Sequence, residues 1–205
     1  MDQSLYNNTT TARGLTYHYY YSSTAPEKPT LLFPHGFPSS SYDWHRQVRY
    51  FQAKGYGTIV PDVLGAGGTS KPENVNAFCF VDIARDIVDV LDAVGVDKVI
   101  GVGHDWGSTV LSRLANLFSS RFDGFAWIST SYYPPSMGFH DIDEVISRLR
   151  AQTRSDHLGY WKHFLLDNAY EKCEQNVSFT HHLMLPMTSG DPSPSSSHRL
   201  TPSFN

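Results

Sequence analysis

Residues 99–111 read VIGVGHDWGSTVL: an apolar run, then Gly103 and Gly107 four positions apart, and a second run that turns apolar at Val110. The first run belongs to DKVIGVG at 97–103 and has the β-branched content of a buried strand. The second continues as STVLSRLANLF at 108–118, with apolar residues at helical spacing. Gly103 and Gly107 bracket His104, Asp105 and Trp106, so strand must pass to helix through a tight bend that only a close backbone approach allows. A bend of this kind presents the Asp105 side chain above the strand ends. The N–H of Trp106 then lies at a helix start, where partial positive charge favours an anion. Read alone, Asp105 also suits a plain N-terminal cap.

The alternation around this junction runs through most of the chain. LTYHYYY (15–21), TLLFP (30–34), YGTIVPD (56–62) and FDGFAWIST (122–130) read as strands. SYDWHRQVRYFQAKG (41–55) and DIARDIVDVLDAV (82–94) read as helices, ended by Gly55 and Gly95. Alternating strands and helices predict an α/β fold, a mostly parallel sheet with helices on both faces because its crossovers are right-handed. After SYYPPSMG the character changes, and 141–177 reads as polar helix rather than another strand–helix unit. From Ser178 onward, seven serines and four prolines among 28 residues leave no periodicity, and disorder is expected. The expected organisation is therefore 1–135 as the sheet-bearing part, 136–177 as a helical segment and 178–205 as a Ser/Pro-rich tail.

Composition narrows the classes of function. With 40% hydrophobic residues in 205, the chain can bury a sizeable core. A formal net charge of −4 and no basic stripe argue against nucleic acid as a partner. The start, MDQSLYNNTTTARG, has neither the basic end nor the apolar run of a secretory signal. No stretch approaches the ~20 apolar residues of a membrane span. Cys79 and Cys173 share no C-x-x-C spacing and read as reduced thiols, so a cytoplasmic protein is expected. No metal and no cofactor is expected, and the oligomeric state stays open.

Two further motifs bear on Asp105. FPHGFPSS (33–40) follows the TLLF strand, and its His35-Gly36-Phe37-Pro38 combines a residue for close approach with a proline that fixes the loop. Phe37-Pro38 is a candidate cis peptide. In an α/β sheet such a loop meets the strand ends where ligands bind. The N–H of Phe37 would then face that of Trp106 across a pocket, and two convergent donors make an oxyanion hole. The simpler reading is an ordinary strand-to-helix turn in which His35 satisfies backbone groups. In PDVLGAGGTSKP (61–72), Asp62 and the glycines suit loop architecture better than a pocket wall.

HGFP, D-x-L-G-x-G-G-T-S-K-P and G-H-D-W-G, in this order and spacing, resemble the epoxide hydrolase branch of the α/β-hydrolase superfamily, over residues 15 to about 176. The resemblance implies a small, apolar, epoxide-like substrate, in detoxification or secondary metabolism. It implies that Asp105 opens the epoxide and becomes esterified, and that a histidine paired with an acid activates water to release the product. Residues 136–177 become part of a helical cap. Tyr160, in HLGYWKHFLLDNAYEKCEQN, falls where a proton-donating tyrosine is expected, although Tyr160 and Trp161 on an amphipathic helix suit packing as well. His35, Gly36, Pro38 and His104 line the pocket or its loops. Haloalkane dehalogenases use the same aspartate, but their loop more often carries Asn or Glu where this chain has Phe37.

The same resemblance implies strands beyond the cap whose end loops carry the acid and the base histidine, so this chain reads as C-terminally truncated. Ten histidines remain as candidates for the base, among them His35, His104, His140, His157, His163, His181, His182 and His198, and none lies in a segment that would hold it against an attacking water. Ser129 and Ser131 stand where some relatives carry the acid. The alternatives are a dehalogenase-like hydrolase and a non-catalytic binder that keeps the pocket.

Overall fold

Asn7, Asn8, Thr9 and Thr10 carry no apolar pattern, yet Tyr6–Thr10 is a strand, β1, in the computed structural model of the chain. Its backbone pairs antiparallel along β2 (Thr16–Ser22), from Tyr6 opposite Tyr20 to Thr10 opposite Thr16. Backbone hydrogen bonds, not side-chain burial, make this strand, and that explains its absence from the apolar reading. The structure describes residues 1–135, 141–153 and 159–175, so the expected tail lies outside the described residues.

The remaining strands are β3 (Thr30–Leu32), β4 (Gly57–Pro61), β5 (Val99–His104) and β6 (Phe122–Ile128). Among the described residues they form one six-stranded sheet in the order β1-β2-β4-β3-β5-β6. β2 joins β4 antiparallel, whereas β3–β4, β3–β5 and β5–β6 are parallel. The expected mostly parallel α/β architecture is thus present. Helices α1 (His45–Gln52), α2 (Phe80–Ala93) and α3 (Trp106–Leu117) supply the crossovers. The stretch 41–55 differs in detail, because a 3-10 turn over Ser41–Trp44 precedes α1.

Two apolar clusters follow from this layering. Ile83, Ile87 and Leu91 of α2 and Val110, Leu111 and Leu114 of α3 pack with Leu32, Ile59 and Val99 of the sheet. Val48 of α1 and Trp44 pack with Tyr20, Leu31, Phe33 and Val60. Each such fully buried aliphatic side chain contributes roughly 1.5–3 kcal/mol. A buried polar knot ties the N-terminal hairpin to α2. Arg13 donates from Nε and Nη2 to the two Asp86 oxygens at 3.0 and 2.8 Å, and Tyr17 donates to Oδ2 at 3.1 Å. Burial pushes the Asp86 carboxyl up, against the pull of Arg13. Burial and the Asp86 charge push the Tyr17 phenol far up, so it stays a donor.

The chain divides into two compact units, at Gly138 and Phe139. In the second, the described helices are α4 (Ile142–Thr153), α5 (Gly159–Phe164) and α6 (Ala169–Gln175). Cys79 and Cys173 are free thiols. No helix of the described residues is long and apolar enough to cross a membrane.

Candidate active site

β5 ends at His104 and α3 begins at Trp106, so the whole change of direction falls on Asp105. Its backbone sits at φ 52°, ψ −125°, a conformation that side-chain-bearing residues rarely adopt. Neighbouring groups hold it there. The Asp105 N–H donates to the Ile128 carbonyl at 3.2 Å, and its carbonyl accepts from the Ser108 N–H at 2.8 Å. Thr130 Oγ1 donates to the same carbonyl at 2.8 Å. Ser108 Oγ donates to the Gly103 carbonyl at 2.9 Å, closing the turn from below.

The two glycines serve close approach. A Cβ on Gly107 would lie 2.1 Å from the Pro34 carbonyl oxygen, so α3 starts directly against the loop after β3. A Cβ on Gly103 would lie 2.7 Å from the Gly107 oxygen. That same loop turns back over Asp105. A Cβ on Gly36 would meet Asp105 Cβ and Oδ1 at 2.4 Å, and the Phe37 N–H donates to Asp105 Oδ1 at 3.0 Å. The Phe37-Pro38 peptide is cis. Trp106 contributes a first-turn N–H of α3, and its ring stacks on Phe80 at 5.4 Å between centroids.

His35 is buried, and both of its ring nitrogens bond backbone groups. Val63 N–H donates to its Nε2 at 2.9 Å, which leaves the proton on Nδ1 to donate to the Gly36 carbonyl at 2.7 Å. Burial pushes its pKa down and keeps the ring neutral. His104 lies edge-on to Trp44 at 6.4 Å. With His35, Ser39, Asp43, Trp44, Gln47 and Ile128 it lines a pocket of about 300 Å3 on the α1 side of the sheet. No histidine among the described residues shares a hydrogen bond with Asp105, and none of these residues forms a metal-binding cluster.

Residues 29–197 match the family described as alpha/beta hydrolase fold. This chain belongs to that family. Within this α/β hydrolase, a stretch of 119 residues is 34% identical to Epoxide hydrolase A of Mycobacterium tuberculosis, covering 56% of this chain and 37% of that protein. A stretch of 141 residues is 30% identical to Epoxide hydrolase 1 of Siraitia grosvenorii, covering 69% of this chain and 44% of that protein. The chain thus spans less than half the length of these curated relatives. Among solved structures, an epoxide hydrolase of Vigna radiata superposes with a TM-score of 0.70 at 26% identity, over 93% of this chain and 62% of that one.

The structure of this α/β hydrolase thus brings Gly36, Phe37 and Asp105 together, and His35 and His104 line one pocket. Tyr160 belongs to the second unit. There it lies on α5, edge-on to Trp161 at 6.3 Å and to Phe164 at 6.1 Å. Thr130 and Phe80 also serve the turn but carry no motif of their own, Thr130 closing the expected strand 122–130 and Phe80 preceding the expected helix 82–94.

Asp62, at the end of β4, bonds backbone groups as its loop suggested. Oδ1 accepts from the Ser41 N–H at 2.8 Å, Oδ2 from the Gly68 N–H at 2.9 Å, and His18 Nδ1 lies 2.8 Å from Oδ2. Burial alone would raise its pKa, but these hydrogen bonds together hold it below the ordinary 3.8. Its contribution to stability is therefore present above 3.8 and is lost as pH falls through the lower folded-state value. Asp62→Asn is expected to flatten the acid limb of stability against pH. Urea unfolding across that limb checks it, and an acid limb as steep as in the parent protein would refute it.

Proposed function

We propose that this chain carries the alkylating half of an epoxide-hydrolase site, with Asp105 as the nucleophile. The observation that carries the reading is the strained turn at Asp105, with Oδ1 held by the Phe37 N–H. Strain of this kind, kept in place by surrounding hydrogen bonds, accumulates at functional sites. The names of the relatives support the same reading.

The chemistry follows from which oxygen is held. Oδ2 attacks an epoxide carbon, the carbon–oxygen bond breaks, and the alkoxide takes a proton from an acid, for which Tyr160 is the proposed donor. Oδ1 becomes the carbonyl oxygen of the resulting ester. When water attacks the ester carbon, charge develops on Oδ1, and the Phe37 and Trp106 N–H groups stabilise it. Release of the diol needs that water to be activated. No histidine among the described residues is hydrogen-bonded to Asp105, so capture is proposed to proceed faster than release.

Incubation with an aryl epoxide followed by intact-mass measurement tests this. The expected result is one equivalent of added epoxide mass that persists and maps to Asp105. Diol accumulating over many turnovers without an adduct would overturn the missing-release step. Neither adduct nor diol would overturn the alkylation reading and leave a small-molecule binder.

A further inference from the structure

Two consecutive residues at the end of β4 hold both ends of the loop that covers Asp105. The segment His35–Ser41 carries the Phe37 N–H near its middle. At its far end, the Ser41 N–H donates to Asp62 Oδ1 at 2.8 Å. At its near end, His35 Nε2 accepts from the Val63 N–H at 2.9 Å, and His35 Nδ1 donates to the Gly36 carbonyl at 2.7 Å. Between the two anchors the Ser39 N–H closes onto the Gly36 carbonyl at 3.3 Å.

Asp62 is itself over-determined. Its side chain is buried and also takes the Gly68 N–H and His18, while Tyr6 stacks flat on the His18 ring at 4.6 Å. A Cβ on Gly67 would lie 2.0 Å from Asp62 Oδ2, so the glycine loop closes around the carboxylate. Phe37, by contrast, is an exposed residue whose N–H nonetheless meets Asp105 Oδ1 at 3.0 Å. An exposed loop keeps such an aim only when its ends are fixed.

We propose that Asp62 and His35 are positioning residues that clamp the His35–Ser41 loop and so aim the Phe37 N–H at the Asp105 carboxylate. The functional meaning of this clamp rests on the alkylation reading above. The clamp itself is read without substrate.

Amide hydrogen exchange on the whole chain, followed residue by residue, is the test. In Asp62→Asn, one amide hydrogen must confront an N–H donor. Exchange at Phe37 is expected to accelerate about ten-fold or more, as for loss of one charge-assisted hydrogen bond, while β3 and β4 amides keep their protection. Asp86→Asn is the control, because it disturbs a buried carboxylate bound to Arg13 and Tyr17. It should leave Phe37 unchanged relative to those same strands. If Asp62→Asn does not fold, Ser41→Pro removes the N–H at a helix-opening position that tolerates proline, and the same acceleration is expected; Ser41→Ala, which loses only the hydroxyl 3.2 Å from the Tyr6 hydroxyl, should keep Phe37 protected. His35→Gln offers Val63 an acceptor and should keep Phe37 protected, whereas His35→Ala should not. Phe37 exchange within two-fold of the parent in a folded Asp62 or Ser41 variant, or identical behaviour of the two His35 variants, would overturn the clamp. If the parent protein forms no adduct with an epoxide, the alkylation reading fails while the exchange result still decides the clamp.

Discussion

Asp105→Asn is expected to lower the rate of covalent capture of an aryl epoxide by on the order of 10⁴-fold or more, the loss typical of removing a nucleophile. The substitution is nearly isosteric. An asparagine oxygen still accepts from the Phe37 N–H, so the loop over the turn keeps its partner. Asparagine also tolerates a positive φ at least as well as aspartate, which suits the 52° at this position. Folding stability should therefore change little while capture is abolished, because an amide is a far weaker nucleophile than a carboxylate. Intact-mass time courses on both proteins provide the comparison. Capture at a parent-like rate by the variant would move the nucleophile elsewhere.

Gly107→Ala carries the largest expected effect on stability. The added methyl would lie 2.1 Å from the Pro34 oxygen, 2.6 Å from the Pro34 carbonyl carbon and 2.8 Å from the His35 oxygen. All three are backbone atoms, so relief requires α3 and the loop after β3 to separate. Overpacking against an immobile neighbour costs about 3 kcal/mol, which for a unit of this size lowers the thermal midpoint by about 10 °C. Gly95→Ala is the internal comparison. Gly95 has φ +66° and nothing within 4 Å of an added Cβ. Its loss comes from backbone strain alone and is expected near 1 kcal/mol. Calorimetry on the two variants separates steric from conformational cost. Equal midpoints would show that the Gly107 contact is accommodated.

The pattern of apolar residues carried most of the fold. β4 and β5 are apolar runs bounded by turn residues, and α2 and α3 carry their buried residues at helical spacing. β1 escaped because its residues are polar and its pairing is a property of the backbone. The 3-10 turn before α1 escaped because Ser41–Trp44 satisfies a helical pattern equally well.

The site was legible in part, for a related reason. Two glycines around an aspartate, between a strand and a helix, already specify a tight turn that presents a carboxylate, since few residues can pass such a bend. HGFP likewise marks a loop that approaches another backbone closely. What local sequence leaves undetermined is partnership across long separations. That the Phe37 N–H finds Asp105 Oδ1, 68 positions away, depends on β3 lying beside β5. That Asp62 serves Ser41 rather than only its own glycine loop depends on β4 lying on the other side of β3. Side-chain chemistry and chain stiffness are written residue by residue, whereas a hydrogen bond between distant residues exists only once the strand order has brought them together.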